Sequence, residues 1–245
     1  MKRLIKSLQS ITSQKNYDFS KIEVIIVDDC SDINSINWDE LKNKYSFLNI
    51  NYIRCSQNRG PGVARQTALN VALGKFIFFL DCGDTLYDDS VLNTFSNFNN
   101  QNYDIICTKI YDEEIGSKRR SFLFNNAYIF GIFINSDFIK KNNIKFSNVL
   151  RWEEDTFFEN LLRYYKPKVT ATRTIGYTYS NDGDSITRKN NHEYQNELTG
   201  FSAMIVKSLL LCEFYKKNRD YHIDGTNITI GELLNLDKNV NLNKH

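Results

Sequence analysis

From Ile22 onward, short continuous apolar runs alternate with longer stretches whose apolar residues recur at helical spacing. Ile22 to Val27, Asn51 to Cys55 and Lys75 to Leu80 read as strands, with helices around Ser35 to Tyr45 and from Pro61 to Leu73 between them. That order predicts an α/β fold in which a mostly parallel sheet is flanked by helices. Pro61 suits a first helical position, where the amide it lacks would be unpaired, and Gly74 suits a left-handed helix end. Phe76 to Leu80 is continuously apolar, as expected of a strand buried on both faces. Asp88 can cap a helix running to Phe98, and the Ile-rich stretch Tyr103 to Lys109 supplies another strand.

The sheet-building half thus ends near residue 113. A mixed section follows to Asn148, with an apolar stretch Tyr128 to Ile134 and a short helix begun by Ser136. Between Glu153 and Tyr165, Phe157, Phe158, Leu161, Leu162 and Tyr165 fall on one helical face, which leaves the acidic first turn free for other work. Lys168 to Arg173 and Ile175 to Ser180 read as two strands, Leu198 to Lys216 as an apolar helix packed on the body, and Asn235 to His245 as a frayed end. The expected division is a nucleotide-binding half at 1–113, an acceptor half at 114–188 and a helical extension at 189–245.

At 245 residues the chain can bury one large core. Lys plus Arg number 31 against 29 Asp plus Glu, a net charge of +2, which gives no electrostatic reason to expect nucleic acid as a partner. The odd, irregularly spaced set Cys30, Cys55, Cys82, Cys107 and Cys212 reads as reduced, mostly buried thiols, consistent with a cytoplasmic protein. No apolar run is long enough to cross a bilayer, although the apolar helix near Leu209 leaves room for contact with a membrane surface or a second subunit.

Four segments could carry chemistry. The strand Val24 to Val27 runs into Asp28, Asp29, Cys30, Ser31 and Asp32. A carboxylate there can accept from a base or a ribose hydroxyl, while a helix cap or turn is the plainer alternative. The loop Asn58 to Gly62, with Arg65 one turn into the next helix, can let backbone and guanidinium approach a diphosphate, or can be a tight turn beside a surface arginine. Asp81 and Asp84 follow a strand directly; two carboxylates there suit a hard divalent cation shared with phosphate oxygens better than a turn. Glu153, Glu154 and Asp155 open a helix, where acidic residues are also favoured by the dipole alone.

Taken in order, Ile26-Val27-Asp28-Asp29-Cys30-Ser31-Asp32, Asn58 to Gly62 with Ala64-Arg65, Ala72-Leu73-Gly74, Leu80-Asp81-Cys82-Gly83-Asp84 and Glu154-Asp155-Thr156-Phe157-Phe158 resemble glycosyltransferase family 2. These are enzymes with a GT-A, Rossmann-like sheet that move a sugar from a nucleotide-diphosphate donor. The resemblance extends from the first residues to about residue 188. It implies an inverting transfer in which Asp155 is the general base toward an acceptor hydroxyl on a glycan, lipid-linked or other molecule, with Glu154 in support. It also implies that Asp28, Asp29, Arg65 and Asp81 contact the nucleotide, and that Asp81 and Asp84 hold Mn²⁺ or Mg²⁺.

The sequence departs from the family in two places. Gly83 stands where many members carry a further Asp, which leaves metal binding to Asp81 and Asp84. The apolar strand that usually opens the family is missing ahead of the helix containing Leu4, Leu8, Ile11 and Gln14, so the sheet should be open at its centre. Two other functions compete. Phe78 to Leu86 is also similar to the first motif of haloacid-dehalogenase-type phosphatases, except that Gly83 occupies the second Asp position; and the missing strand suits a non-catalytic sugar-nucleotide binder that keeps the fold.

Overall fold

The computed structural model describes residues 1–32, 37–114, 116–120, 129–181 and 197–218. Helix α1 (Lys2–Thr12) leads through a 3-10 turn at Phe19–Lys21 into strand β1 (Glu23–Asp28). Then come α2 (Trp38–Lys44), β2 (Asn49–Arg54), α3 (Pro61–Val71), β3 (Phe76–Phe78), α4 (Val91–Ser96) and β4 (Ile105–Asp112). The second half contributes β5 (Ser117–Arg120), β6 (Ile132–Asn135), α5 (Ser136–Lys141), α6 (Glu154–Tyr164), β7 (Val169–Tyr179) and α7 (Glu197–Lys217).

The predicted alternation of strands and helices is present, and the longer ladders are parallel while shorter antiparallel ones join them. β1 and β2 pair parallel, as do β4 and β7, while β3 with β6, β4 with β6 and β4 with β5 are antiparallel. The sheet is also divided: β1 and β2 form a two-stranded unit, and β3, β6, β4, β5 and β7 form a five-stranded one. Among the described residues β1 pairs only with β2, and β3 only with β6. The break in the sheet lies between these two units. Val24 and Ile26 of β1 and Phe76 and Phe78 of β3 nevertheless pack on the same apolar cluster as Leu8 and Ile11 of α1, so one layer holds both units. Glu23 ties them at the start of β1, its Oε1 accepting from the amides of Leu73 and Gly74 at 2.6 Å each.

Several local expectations change. Gly74 does not end α3 in a left-handed conformation; the helix ends at Val71, Ala72 is extended (φ −65°, ψ 130°), and Glu23 takes up the amides beyond it. Phe76 to Phe78 are only half-buried, and among the described residues β3 has a strand on one edge alone. The two strands foreseen at 168–180 are one, β7, with register shifts around Lys109 of its partner. Asp88 acts one step from the helix, accepting from the amide of the N-cap Ser90. None of the five cysteines is in a disulfide, but only Cys107 is buried and Cys82 is exposed. Residues 182–188 of the anticipated acceptor half and Asn235 to His245 lie outside the described residues.

The main core joins β4, β6 and β7 to α5 and α6 through residues such as Ile105, Ile134, Phe158, Leu162 and Tyr177. α7 lies against this body through Leu210, Leu211, Phe214 and Tyr215, with Phe214 5.0 Å from the Tyr164 ring at the end of α6. Its other face leaves Ile205, Val206 and Leu209 exposed. Among the described residues no helix is long and apolar enough to cross a membrane.

Candidate active site

The first turns of α3 and α6 meet at the carboxyl end of β3. The approach is so close that a Cβ on Gly62 would lie 3.0 Å from Cβ and Cγ of Glu154, which accounts for glycine there better than any turn requirement. Gly60, at φ +90°, lets the chain turn into α3 against Arg151. The Arg65 side chain lies one turn further on, only 10% exposed. Its Nη2 donates to both oxygens of Asp81 at 2.9 and 3.0 Å, and its Nη1 donates to Glu154 Oε1 at 2.7 Å. The guanidinium also sits 5.5 Å from the centroid of the Phe130 ring.

Arg65 thus joins the acidic corner after β3 to the acidic start of α6, and Asp155 follows Glu154 at that junction. Burial works against the charge on the guanidinium, but Asp81 and Glu154 outweigh it and hold Arg65 firmly protonated. Burial also pushes Glu154 up, with Asp155 adding to the effect and Arg65 opposing it. Asp155 is raised for the same first reason; the Thr156 amide and Arg65 pull it back, while Glu153 and Asp81 push it further. A half-buried carboxylate with raised proton affinity is what general-base work at a hydroxyl requires.

The other candidates occupy less exposed roles. Asp28 is buried and fully engaged: Oδ1 accepts from the Ser31 amide at 2.8 Å, and Oδ2 from Tyr52 Oη at 3.1 Å and Arg54 Nη1 at 2.5 Å. Burial would raise its proton affinity, but these donors outweigh it and keep the pKa below its ordinary value. Asp29 accepts from the amides of Arg59 and Gly60 at 2.9 and 2.7 Å, so it fixes the loop that leads into α3. Arg151 holds the same loop from the other side through Asn58 O at 2.9 Å. Asp28 and Asp29 therefore serve as braces at the end of β1, with Asp29 the nearer to the Arg65 loop.

Asp84 is buried and bonded within the body. Its Oδ2 accepts from the buried Tyr177 Oη at 2.5 Å and its Oδ1 from the Ser180 amide at 2.9 Å, and burial raises its pKa to about 6. Behind it, Ser7 of α1 donates to Asp84 O at 2.8 Å and accepts from the Gly83 amide at 3.0 Å. The carboxylate expected to share a cation with Asp81 is thus built into the body. Among the described residues no three His, Cys, Asp or Glu side chains are grouped to hold a metal ion. What remains is one partly open carboxylate, Asp81, whose side chain is 43% exposed. That fits a hard cation drawing its other ligands from phosphate oxygens and water, not a cage made by the protein.

Sequence reasoning missed Tyr177, Ser7, Arg54 and Arg151. Tyr177 lay in a recognised strand, yet nothing in the sequence says that its hydroxyl reaches residue 84. Arg54 could have been found, since it directly opposes Asp28 across the parallel β1–β2 register.

The model of the family described as Glycosyl transferase family 2 matches residues 2–158. The poly(ribitol-phosphate) beta-N-acetylglucosaminyltransferase TarP of Staphylococcus aureus (strain N315) is 26% identical over 244 residues, covering 90% of this chain and 72% of TarP. The minor teichoic acid biosynthesis protein GgaB of Bacillus subtilis (strain 168) is 29% identical over 83% of this chain, which spans 25% of GgaB. Among solved structures, S. aureus TarS 1-349 in complex with UDP-GlcNAc superposes with a TM-score of 0.68 at 20% identity, covering 85% of this chain and 62% of that one. At that identity the superposition establishes the fold, and the fold is GT-A.

Proposed function

Since the chain belongs to glycosyl transferase family 2, we propose that it moves a sugar from a nucleoside-diphosphate donor to an acceptor hydroxyl with inversion at the anomeric carbon. The observation that carries this reading is the Arg65 bridge, which joins the Asp81 corner to the helix start bearing Asp155. In this mechanism Asp155 accepts the hydroxyl proton as the oxygen bonds the anomeric carbon. The bond from that carbon to the diphosphate breaks, and its electron pair leaves with the nucleoside diphosphate. Arg65 supplies positive charge beside the departing phosphates, and the first amides of α3 add theirs. Glu154 keeps Arg65 in place. Asp28 and Asp29 shape the side that receives the nucleoside.

A divalent cation, Mn²⁺ or Mg²⁺, would be held by Asp81 together with the diphosphate, and when bound it would neutralise charge on the leaving group. Asp84 would join it only by giving up Tyr177 and Ser180. The names of TarP and of the TarS complex favour UDP-N-acetylglucosamine as donor and a polyol-phosphate polymer as acceptor.

The test is calorimetric titration of UDP and GDP with and without Mn²⁺, coupled to release of nucleotide from UDP-N-acetylglucosamine. The expected result is UDP binding strengthened by Mn²⁺ and release of UDP that depends on acceptor; release of inorganic phosphate instead would overturn the reading. UDP binding with no release of nucleotide would instead point to a non-catalytic sugar-nucleotide binder.

A further inference from the structure

α6 begins in an unusual way. Its N-cap, Glu153, has left-handed backbone angles (φ 63°, ψ 11°) and makes no side-chain capping bond. The N-caps of α2 and α5, Asn37 and Asn135, are instead extended and cap with their side chains. A non-glycine residue with positive φ persists only where its surroundings hold it. Here the Glu153 carboxylate turns outward to α7 and meets Lys207 Nζ at 2.6 Å, with the lysine side chain only 15% exposed. Further along, Phe214 and Tyr215 of α7 pack on Tyr164 at the other end of α6. α7 therefore holds α6 at both ends, by aromatic packing at one and by an ion pair at the other.

We propose that Lys207 is a positioning residue for Asp155, acting through Glu153. This rests on the assignment of Asp155 as the base. Glu153 is the residue at which the chain turns into α6; its carbonyl accepts the helix's first bond from the Phe157 amide at 2.9 Å. Its backbone angles set the direction in which Glu154 and Asp155 leave the turn. Without the lysine, the residue is free to relax to the extended cap seen at α2 and α5, which swings the Asp155 carboxylate relative to Arg65 and the acceptor. A contact on α7, remote in sequence from every site residue, thereby becomes part of the machinery that orients the base.

The test compares Lys207→Ala, Lys207→Met, Lys207→Arg and Asp155→Asn in transfer from UDP-N-acetylglucosamine to poly(ribitol phosphate), with UDP affinity measured in parallel. Lys207→Ala and Lys207→Met should lower kcat by about 10- to 100-fold, as small misplacements of a reacting group do, while leaving UDP affinity unchanged. Lys207→Arg should restore most of the rate. Lys207→Met keeps the apolar stem that packs α7, so a loss shared with Lys207→Ala points to the ion pair and not to unfolding. In Lys207→Met the amides of Thr156 and Phe157 should also exchange with deuterium faster than in the wild type. Normal kcat and normal exchange in Lys207→Met, beside an inactive Asp155→Asn, would overturn this inference and leave the transferase standing. An active Asp155→Asn would overturn the reading on which it rests.

Discussion

Ile105 and Ile106 of β4 and Ile134 of β6 are fully buried, whereas Val24 to Ile26 of β1 and Phe76 to Phe78 of β3 keep part of their surface accessible. The two sets are equally apolar; what separates them is pairing. β4 is covered along both edges by β6, β5 and β7, while β1 and β3 each have one strand neighbour among the described residues. Hydrophobicity proposes burial, and neighbours decide it. The half that carries Asp28, Asp29 and Asp81 packs on the apolar cluster of Leu8, Leu41 and Val91 and adds polar ties: Glu23 to the end of α3, Asp29 to its start, and Ser7 to the Asp84 corner. The other half is held by packing of strands covered on both edges.

Substitutions should expose this contrast unequally. The largest effect is expected at Gly176 in β7, where a Cβ would stand 2.3 Å from Thr108 Oγ1 in the sealed half. Gly176→Ala should abolish folding or cost at least about 3 kcal/mol by denaturant titration. Ile134→Ala should follow, at about 2–5 kcal/mol, with Ile25→Ala costing clearly less; equal costs would mean that the opening at β1 is closed in solution.

Asp84 gives the next effect, through pH. Its folded pKa is raised from 3.8 to about 6, so the folded chain binds this proton more tightly than the unfolded chain. Stability should therefore be fullest below about pH 4 as far as this group is concerned, and fall as pH rises to about 6, by an amount on the order of 3 kcal/mol. Asp84→Asn should flatten that fall in melting curves recorded across the window. An unchanged slope would mean that the Asp84 carboxyl is not buried in solution, since burial raises its pKa while Tyr177 and Ser180 pull it down. Smallest is Glu23→Ala, which should cost about 1 kcal/mol and speed amide exchange at Leu73 and Gly74.

These contrasts also mark what the sequence could reveal. Strand and helix order and the helix starts at Pro61 and Ser136 were legible because they follow from local periodicity and from motif order. The partners of Asp84 and Asp28 were not, because a carboxylate after an apolar strand looks the same whether or not a tyrosine hydroxyl lies beside it. Only the packing of β7 beside the corner brings Tyr177 Oη to Asp84. The half-burial of Phe76 to Phe78 was hidden for a similar reason: an apolar run does not state how many strands lie beside it. Lys207 carried no signal at all, since its partner Glu153 is 54 residues away.

The central claim is that the Arg65 bridge sets the Asp81 corner and Asp155 around one donor and one acceptor. It is tested most directly by measuring transfer from UDP-N-acetylglucosamine and UDP affinity together in Asp155→Asn. The account predicts a loss of transfer of at least about a hundredfold with UDP affinity nearly unchanged. Transfer at close to the wild-type rate, or loss of UDP binding in parallel with transfer, would contradict it.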